Sequence, residues 1–415
     1  MSDLEPVVVS PDAGDALVSY CRDRFSHCTV VSDERTWEVA GRAIAEALES
    51  AGVKVGTIHL HGEEVVADER FLTDGFVQAD VDTEAFIAAG SGTITDITRF
   101  ISHRMRRAFI SAPTAASVDG YTSKGSPLVL RGVKKSIYSH APEALFADSS
   151  VLREAPHELT AAGFGDIIGK ITSIADWRLG HLVWEEPYDD AIAERTLDTV
   201  RQSVDARREI GHGEDAEILT LMNALIESGL CMLDFGASRP ASGAEHHISH
   251  FWEMQLLRDG KPGILHGAKV GVATVMVCRL YERVRSLDAA AVKRQLESTT
   301  PPAFDEECSM IHSAYGSLAG DVIEAHRPLL GLRGSVLEGI QERILTNWGR
   351  IRKIVDEVPE TETVREYLRD AGAPTEPSEI GLSPELAQQG LLSGHFLRDR
   401  FTIAKLVRVL GLNPG

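Results

Sequence analysis

Hydrophobic positions in the first third of the chain fall into short runs separated by helical stripes. Residues 29–32 form a β-branched run that ends in Asp33. Residues 37–51 carry Val39, Ala40, Ile44 and Leu48 on one helical face, with Gly52 as a stop. Residues 53–60 and 85–89 read as further strands, the second running into Gly90-Ser91-Gly92. A helix is expected to start within 96–102, followed by a strand at 107–112. Such alternation predicts a parallel sheet with helices on its faces. The runs at 128–130, 134–139 and 144–147 predict an antiparallel or mixed extension. From residue 158 the period changes, and stripes near 3.6 residues cover 159–182, 191–205, 216–230, 245–257, 269–286, 335–356, 361–371 and 394–410. The expectation is an α/β domain over residues 1–157 and an all-α domain over 158–415.

Composition narrows the function classes. A chain of 415 residues is long enough for two cores. Its net charge of −20 argues against a nucleic-acid grip and against an anionic membrane surface. No uninterrupted apolar run approaches the ~20 residues that span a bilayer, so no membrane span is expected. The five cysteines are scattered and form no C-x-x-C pair, which predicts reduced thiols in a cytoplasm.

The densest chemistry lies in residues 238–252, S-R-P-A-S-G-A-E-H-H-I-S-H-F-W. On a helix, His246 and His250 stand one turn apart on one face, and His247 points about 100° away. His266 follows in a Leu-His-Gly run. A solvated helix with unrelated histidines is the plainer reading of that pair. Asp166 sits in Gly163-Phe164-Gly165-Asp166 among apolar neighbours, where a buried carboxylate demands a counter-charge or a metal. An Asp166–Lys170 ion pair is its plainer fate. Taken together, Asp166, His246 and His266 make a one-carboxylate, two-imidazole set. Three such protein ligands suit a divalent ion with an open position for substrate.

Three segments suit a dinucleotide. Gly90-Ser91-Gly92-Thr93-Ile94-Thr95-Asp96 marks a strand-to-helix turn where backbone N–H groups can approach a pyrophosphate. It falls short of the full G-x-G-x-x-G pattern, because Thr95 takes the last position. The small hydroxyl residues of 114–123 follow the next strand, where ribose or phosphate oxygens can be met. Asp33 ends the first of these strands and can accept from a ribose, although capping a helix is the commoner role of such an acid.

These segments occur in a recognisable order: G-S-G-T-I-T-D, T-A-A-S-V-D-G-Y-T-S, G-F-G-D-I-I-G-K, A-D-W-R, S-R-P-A-S-G-A-E-H-H-I-S-H and H-G-A-K-V-G-V-A-T. The chain resembles the glycerol-1-phosphate dehydrogenase family, in particular its bacterial branch. That family stands beside glycerol dehydrogenases, iron-dependent alcohol dehydrogenases and dehydroquinate synthases. The resemblance implies an α/β Rossmann-like N-terminal domain and an all-α C-terminal domain of the dehydroquinate synthase-like, glycerol dehydrogenase-like kind. It implies that Gly92, Thr93, Ile94, Thr95, Asp96, Thr114, Ala115, Ala116, Ser117 and Ser123 contact NAD(H) or NADP(H). Asp33 favours NAD, while Arg35 beside it can accommodate a 2′-phosphate. Asp166, His246 and His266 are then ligands of zinc or nickel, with His247 the alternative ligand.

The same resemblance puts Asp119 and His250 against substrate, and Lys170 is a candidate contact for its phosphate. Ala268 stands where relatives usually show an acid after H-G, and Thr95 where Ile or Val is more usual. The implied activity is reversible reduction of dihydroxyacetone phosphate to sn-glycerol 1-phosphate by a cytoplasmic homo-oligomer. Three rivals remain: a dehydroquinate-synthase-like lyase, a dehydrogenase acting on glycerol or another small phosphorylated polyol or ketone, and a non-catalytic metal- or dinucleotide-binding protein.

Overall fold

The computed structural model describes residues 4–414. By its internal contacts the chain forms two compact units. The first comprises Met1–Ile167 and Arg201–Gly236, the second Ile168–Val200 and Ala237–Gly415. Among the described residues all strands end by Asp148, and every later element is a helix. The contacts nevertheless group residues 201–236, with the 21-residue helix Asp215–Phe235, with the strands.

In the first unit the strands are β1 (Val7–Ser10), β2 (His27–Asp33), β3 (Lys54–Leu60), β4 (Ala85–Ala89), β5 (Ala108–Ala112), β6 (Gly125–Leu130), β7 (Val133–Tyr138) and β8 (Ala144–Asp148). Six make one sheet in the order β1-β8-β5-β4-β2-β3, and neighbouring strands in it run parallel. Residues 144–147 therefore belong to the parallel sheet, paired with β5 and β1, and not to an antiparallel extension. Only β6 and β7 pair antiparallel, as a separate ribbon. The β1 strand was not foreseen, because Val7–Ser10 is short and half exposed at a sheet edge.

Every side chain of β4 is buried, since both faces of the sheet are covered. Ala85, Ile87 and Ala89 join one core with Leu17, Cys21 and Leu48, from helices Ala13–Arg22 and Arg42–Ser50. Phe86 and Ala88 join the other with Leu72, Ile97 and Ile101, from helices Glu69–Gln78 and Gly92–Met105. The strand order reverses between β2 and β4, which are neighbours. From β2 the chain runs outward to β3, and from β4 it runs the other way to β5. The carboxyl ends of two such strands form the crevice that open α/β sheets use for ligands. Asp33 ends one of them and Gly90-Ser91-Gly92 follows the other.

The second unit is helical. The stripe at 159–182 is in fact two helices, His157–Ile168 and Lys170–Trp184, parted at Gly169. The stripe at 335–356 breaks at Asn347 into Gly334–Thr346 and Trp348–Glu357. No single helix covers 394–410. A turn at Gly394–Phe396 follows helix Pro384–Ser393, and Ile403–Val409 is separate. The segment between is held by tertiary bonds, the Phe401 N–H donating to Glu186 and Arg400 to the Ser242 carbonyl.

Asp176, fully buried, anchors the unit's centre. Its carboxylate accepts from the Ala244 and Ile403 N–H groups at 2.8 and 2.7 Å and from the Tyr281 hydroxyl at 2.7 Å. One described helix, Asp215–Phe235, is long and apolar enough to cross a membrane, although polar residues interrupt its apolar run. Half of its most apolar window is buried inside the fold.

Candidate functional site

The glycine loop is shaped by close packing. A Cβ on Gly90 would lie 2.6 Å from the Ile94 Cβ, so the turn closes only on glycine. The helix that follows starts at Gly92, four residues earlier than expected, and its Ser91 cap makes no side-chain bond. The N–H groups of Gly92, Thr93 and Ile94 thus precede the first intrahelical bond, from the Thr95 N–H to the Ser91 carbonyl. This is the arrangement that receives a phosphate. Thr95 is buried and its hydroxyl has no hydrogen-bond partner. Asp96 pairs with Arg99 at 2.9 Å. Fully buried Arg99 also donates to the carbonyls of Gly120, Tyr121 and Gly125, tying the loop after β5 to the helix.

That loop holds Thr114, Ala115, Ala116 and Ser117, all buried. The Tyr121 hydroxyl donates to the Ala115 carbonyl at 2.7 Å and lies 3.0 Å from the Ser117 hydroxyl. Ser123 donates to the Gly120 carbonyl. Asp33 does cap a helix: its Oδ1 accepts from the N–H and the hydroxyl of Thr36 at 2.7 and 2.9 Å.

Helix His157–Ile168 meets the loop where it has no side chain. A Cβ on Gly163 would stand 2.0 Å from the Ala116 carbonyl oxygen. One turn on, fully buried Asp166 accepts from the Asp119 N–H at 3.1 Å. The Asp119 carboxylate accepts from Ser228 at 3.0 Å.

His246 lies in the first turn of helix Ala244–Arg258. Its Nδ1 is 2.8 Å from Glu245 Oε1, so Nε2 is the nitrogen that could hold a metal. Glu245 is fully buried and is itself held by the Gly243 N–H at 2.6 Å and the Thr172 hydroxyl at 2.7 Å. Burial alone would raise its carboxyl, but the bonds from His246, Gly243 and Thr172 outweigh this and hold it below the usual range. His250, one turn along, has its ring centroid 5.9 Å from that of His246. His266 opens helix His266–Arg285, with its centroid 5.3 Å from His246 and 5.6 Å from His250.

Asp166 and His246 are buried. One ligand atom each from His250, Glu253 and His266, all in the second unit, lie within 4.8 Å of one another, and the three are half-buried. His247 is not in that group. Its ring is buried and neither nitrogen has a partner. Burial, reinforced by nearby Arg400 and Arg398, keeps it neutral. Lys170 is fully buried and its ammonium donates to the Ala241 carbonyl at 3.3 Å.

Sequence reasoning did not single out Glu245, Glu253 or Lys269. The buried Lys269 ammonium lies 3.2 Å from Glu253. An acid beside the first histidine was the visible signal for Glu245. Glu253 and Lys269 sit on different helices, and no spacing links them.

Residues 8–156 match the iron-containing alcohol dehydrogenase family. Known structures share the fold. NADH-dependent butanol dehydrogenase A from Thermotoga maritima gives a TM-score of 0.63 at 13% identity, covering 100% of this chain and 93% of that one. Glycerol dehydrogenase from Schizosaccharomyces pombe gives 0.57 at 19% identity, covering 92% of each chain. The sheet and the helical unit together have the fold of these metal-dependent alcohol dehydrogenases.

Within that class the likeness is closer to one group. The glycerol-1-phosphate dehydrogenase [NAD(P)+] of Geobacillus thermodenitrificans (strain NG80-2) is 38% identical over 96% of this chain and 91% of that protein. The enzyme of the same name from Bacillus subtilis (strain 168) is 35% identical over 97% and 91%. The chain belongs to the glycerol-1-phosphate dehydrogenase family.

Proposed function

We propose that this protein reduces dihydroxyacetone phosphate to sn-glycerol 1-phosphate, reversibly, with NADH or NADPH and one divalent cation, zinc or nickel. The observation that carries the reading is the pair His246 and His266, with ring centroids 5.3 Å apart, in a chain of this family, and Asp166 is the carboxylate proposed to complete the set. One carboxylate and two imidazoles fit a borderline divalent ion and leave room for substrate oxygen. When bound, the dinucleotide supplies the hydride and the cation polarises the carbonyl that receives it.

The chain's own residues do the rest. Gly92, Thr93 and Ile94 offer N–H groups to the pyrophosphate, and Thr114–Ser117 with Ser123 line the nicotinamide side. Asp33 takes the adenosine ribose through the oxygen not used in its cap. Asp96 acts through Arg99, which fixes the loop. Glu245 sets the His246 tautomer. Asp119, fixed by Ser228, orients a substrate hydroxyl. His250 hands a proton to the carbonyl oxygen as it becomes a hydroxyl, a role suited to an imidazole near neutral pH. Lys170 positions the segment before His246 through the Ala241 carbonyl. The reading also carries a cytoplasmic homo-oligomer.

Purified protein given dihydroxyacetone phosphate, NADH and Zn²⁺ or Ni²⁺ should consume NADH continuously. Continuous consumption separates it from a lyase that recycles its cofactor within each turnover. No consumption across metals and pH overturns the assignment. His246→Ala should lose bound metal and activity together, and full metal content in that variant overturns the ligand set.

A further inference from the structure

The proposed ligands of the resident ion and a second set of donors share His266, and they differ in exposure. Asp166 and His246 are buried, whereas His250, Glu253 and His266 are each half-buried. His250 and Glu253 are three residues apart on helix Ala244–Arg258, so they share a face. Two imidazoles and a carboxylate within 4.8 Å of one another form a competent set for a borderline divalent ion.

We propose that His250, Glu253 and His266 form a second cation position, where an incoming divalent transition ion lands before it moves to the buried position at His246. The inference rests on the reading of His246 and His266 as ligands of the resident ion. Stripping a hydrated dication for a buried site is costly unless ligands replace water as it leaves. A half-exposed set can make that exchange in stages. His266 then belongs to both positions, and the ion passes by trading His250 and Glu253 for His246 and Asp166.

The direction of transfer follows from charge. Glu253 is already answered by the Lys269 ammonium at 3.2 Å, so the outer position offers an arriving cation little net negative charge. The inner position has the Asp166 carboxylate, and Glu245 stands hydrogen-bonded behind His246. Lys269 therefore keeps the outer position weak, and the ion does not stay. Once it has moved on, His250 is available to substrate.

The test uses metal-free full-length protein and Co²⁺, followed by its visible absorbance, with bound metal counted at the end. Glu253→Gln should slow uptake by about tenfold or more, a scale typical of altered metal surroundings, and still end at the wild-type metal content. Lys269→Met, which removes the competing ammonium, should hold the ion longer at the outer position, so that the Co²⁺ absorbance passes through an early spectrum before the final one and ends at the wild-type metal content. Thermal denaturation of both variants checks that they fold. Wild-type uptake rates in Glu253→Gln, or a wild-type time course in Lys269→Met, overturn the proposal and leave the resident site standing. Retention of a tightly held ion by His246→Ala overturns the resident-site reading instead.

Discussion

Glu245 and His247 are neighbours with opposite standing. The Glu245 carboxylate is hydrogen-bonded to His246, Gly243 and Thr172. Glu245→Gln should keep the fold but loosen the imidazole, lowering metal affinity by about 10–100-fold, as outer-shell changes do. Competition with a chelator measures this, and unchanged affinity would remove Glu245 from the site. His247 buries two unpartnered nitrogens. An apolar side chain of similar size avoids that penalty, so His247→Leu should raise stability by about 1 kcal/mol with metal content intact. Loss of metal from that variant would restore His247 as a ligand. The helical phase of 246, 247 and 250 was legible from spacing alone, because a regular helix fixes it. Asp166 was legible only through its motif, since its pairing with the Asp119 N–H joins residues 47 apart in the chain.

Helix His157–Ile168 depends on one missing side chain. Gly163→Ala would drive a methyl into the Ala116 carbonyl oxygen, backbone that cannot rotate away. The expected loss is about 1–3 kcal/mol, as for overpacked cores. A raised KM for NADH should accompany it, because the displaced loop carries Thr114–Ser117. Gly320, in a helix with open space at its Cβ, is the control, and Gly320→Ala should be neutral or gain up to about 1 kcal/mol. Equal thermal midpoints for the two variants would contradict this account of packing. Most strands were readable because burial on both faces makes them continuous apolar runs. The place of β8 was not, since the β6–β7 ribbon intervenes and only tertiary pairing returns the chain to the sheet. The false stripe at 394–410 shows the same limit: Arg400 and Glu186 impose a turn that periodicity does not register.

Across the whole molecule, acid–base balance and chain order both leave measurable traces. Burial, with neighbouring Glu245, pushes the Asp176 carboxyl up to about 7 against three bonds that favour its ionised form. The folded chain thus holds this proton more tightly than the unfolded chain, whose value is about 3.9. The contribution to stability is full below about pH 4 and is lost as pH rises to about 7. Asp176→Asn cannot ionise, so its stability relative to wild type should rise across that window. A pH-independent difference would refute the shift.

Residues 201–236 have a different consequence. Helix Asp215–Phe235 supplies Ser228 to Asp119 and the Ile226 carbonyl to Thr122, so the sheet's own loop is bonded to chain that lies far downstream. A fragment of residues 1–157 should accordingly be soluble only with difficulty and bind NADH poorly, as calorimetry on the fragment would show. During synthesis the last strand leaves the ribosome at Asp148, long before Gly236 does. For that interval the loop holding Asp119 and Thr122 lacks the partners that Ser228 and Ile226 later supply, a stage at which a growing chain is open to chaperones and to misassociation.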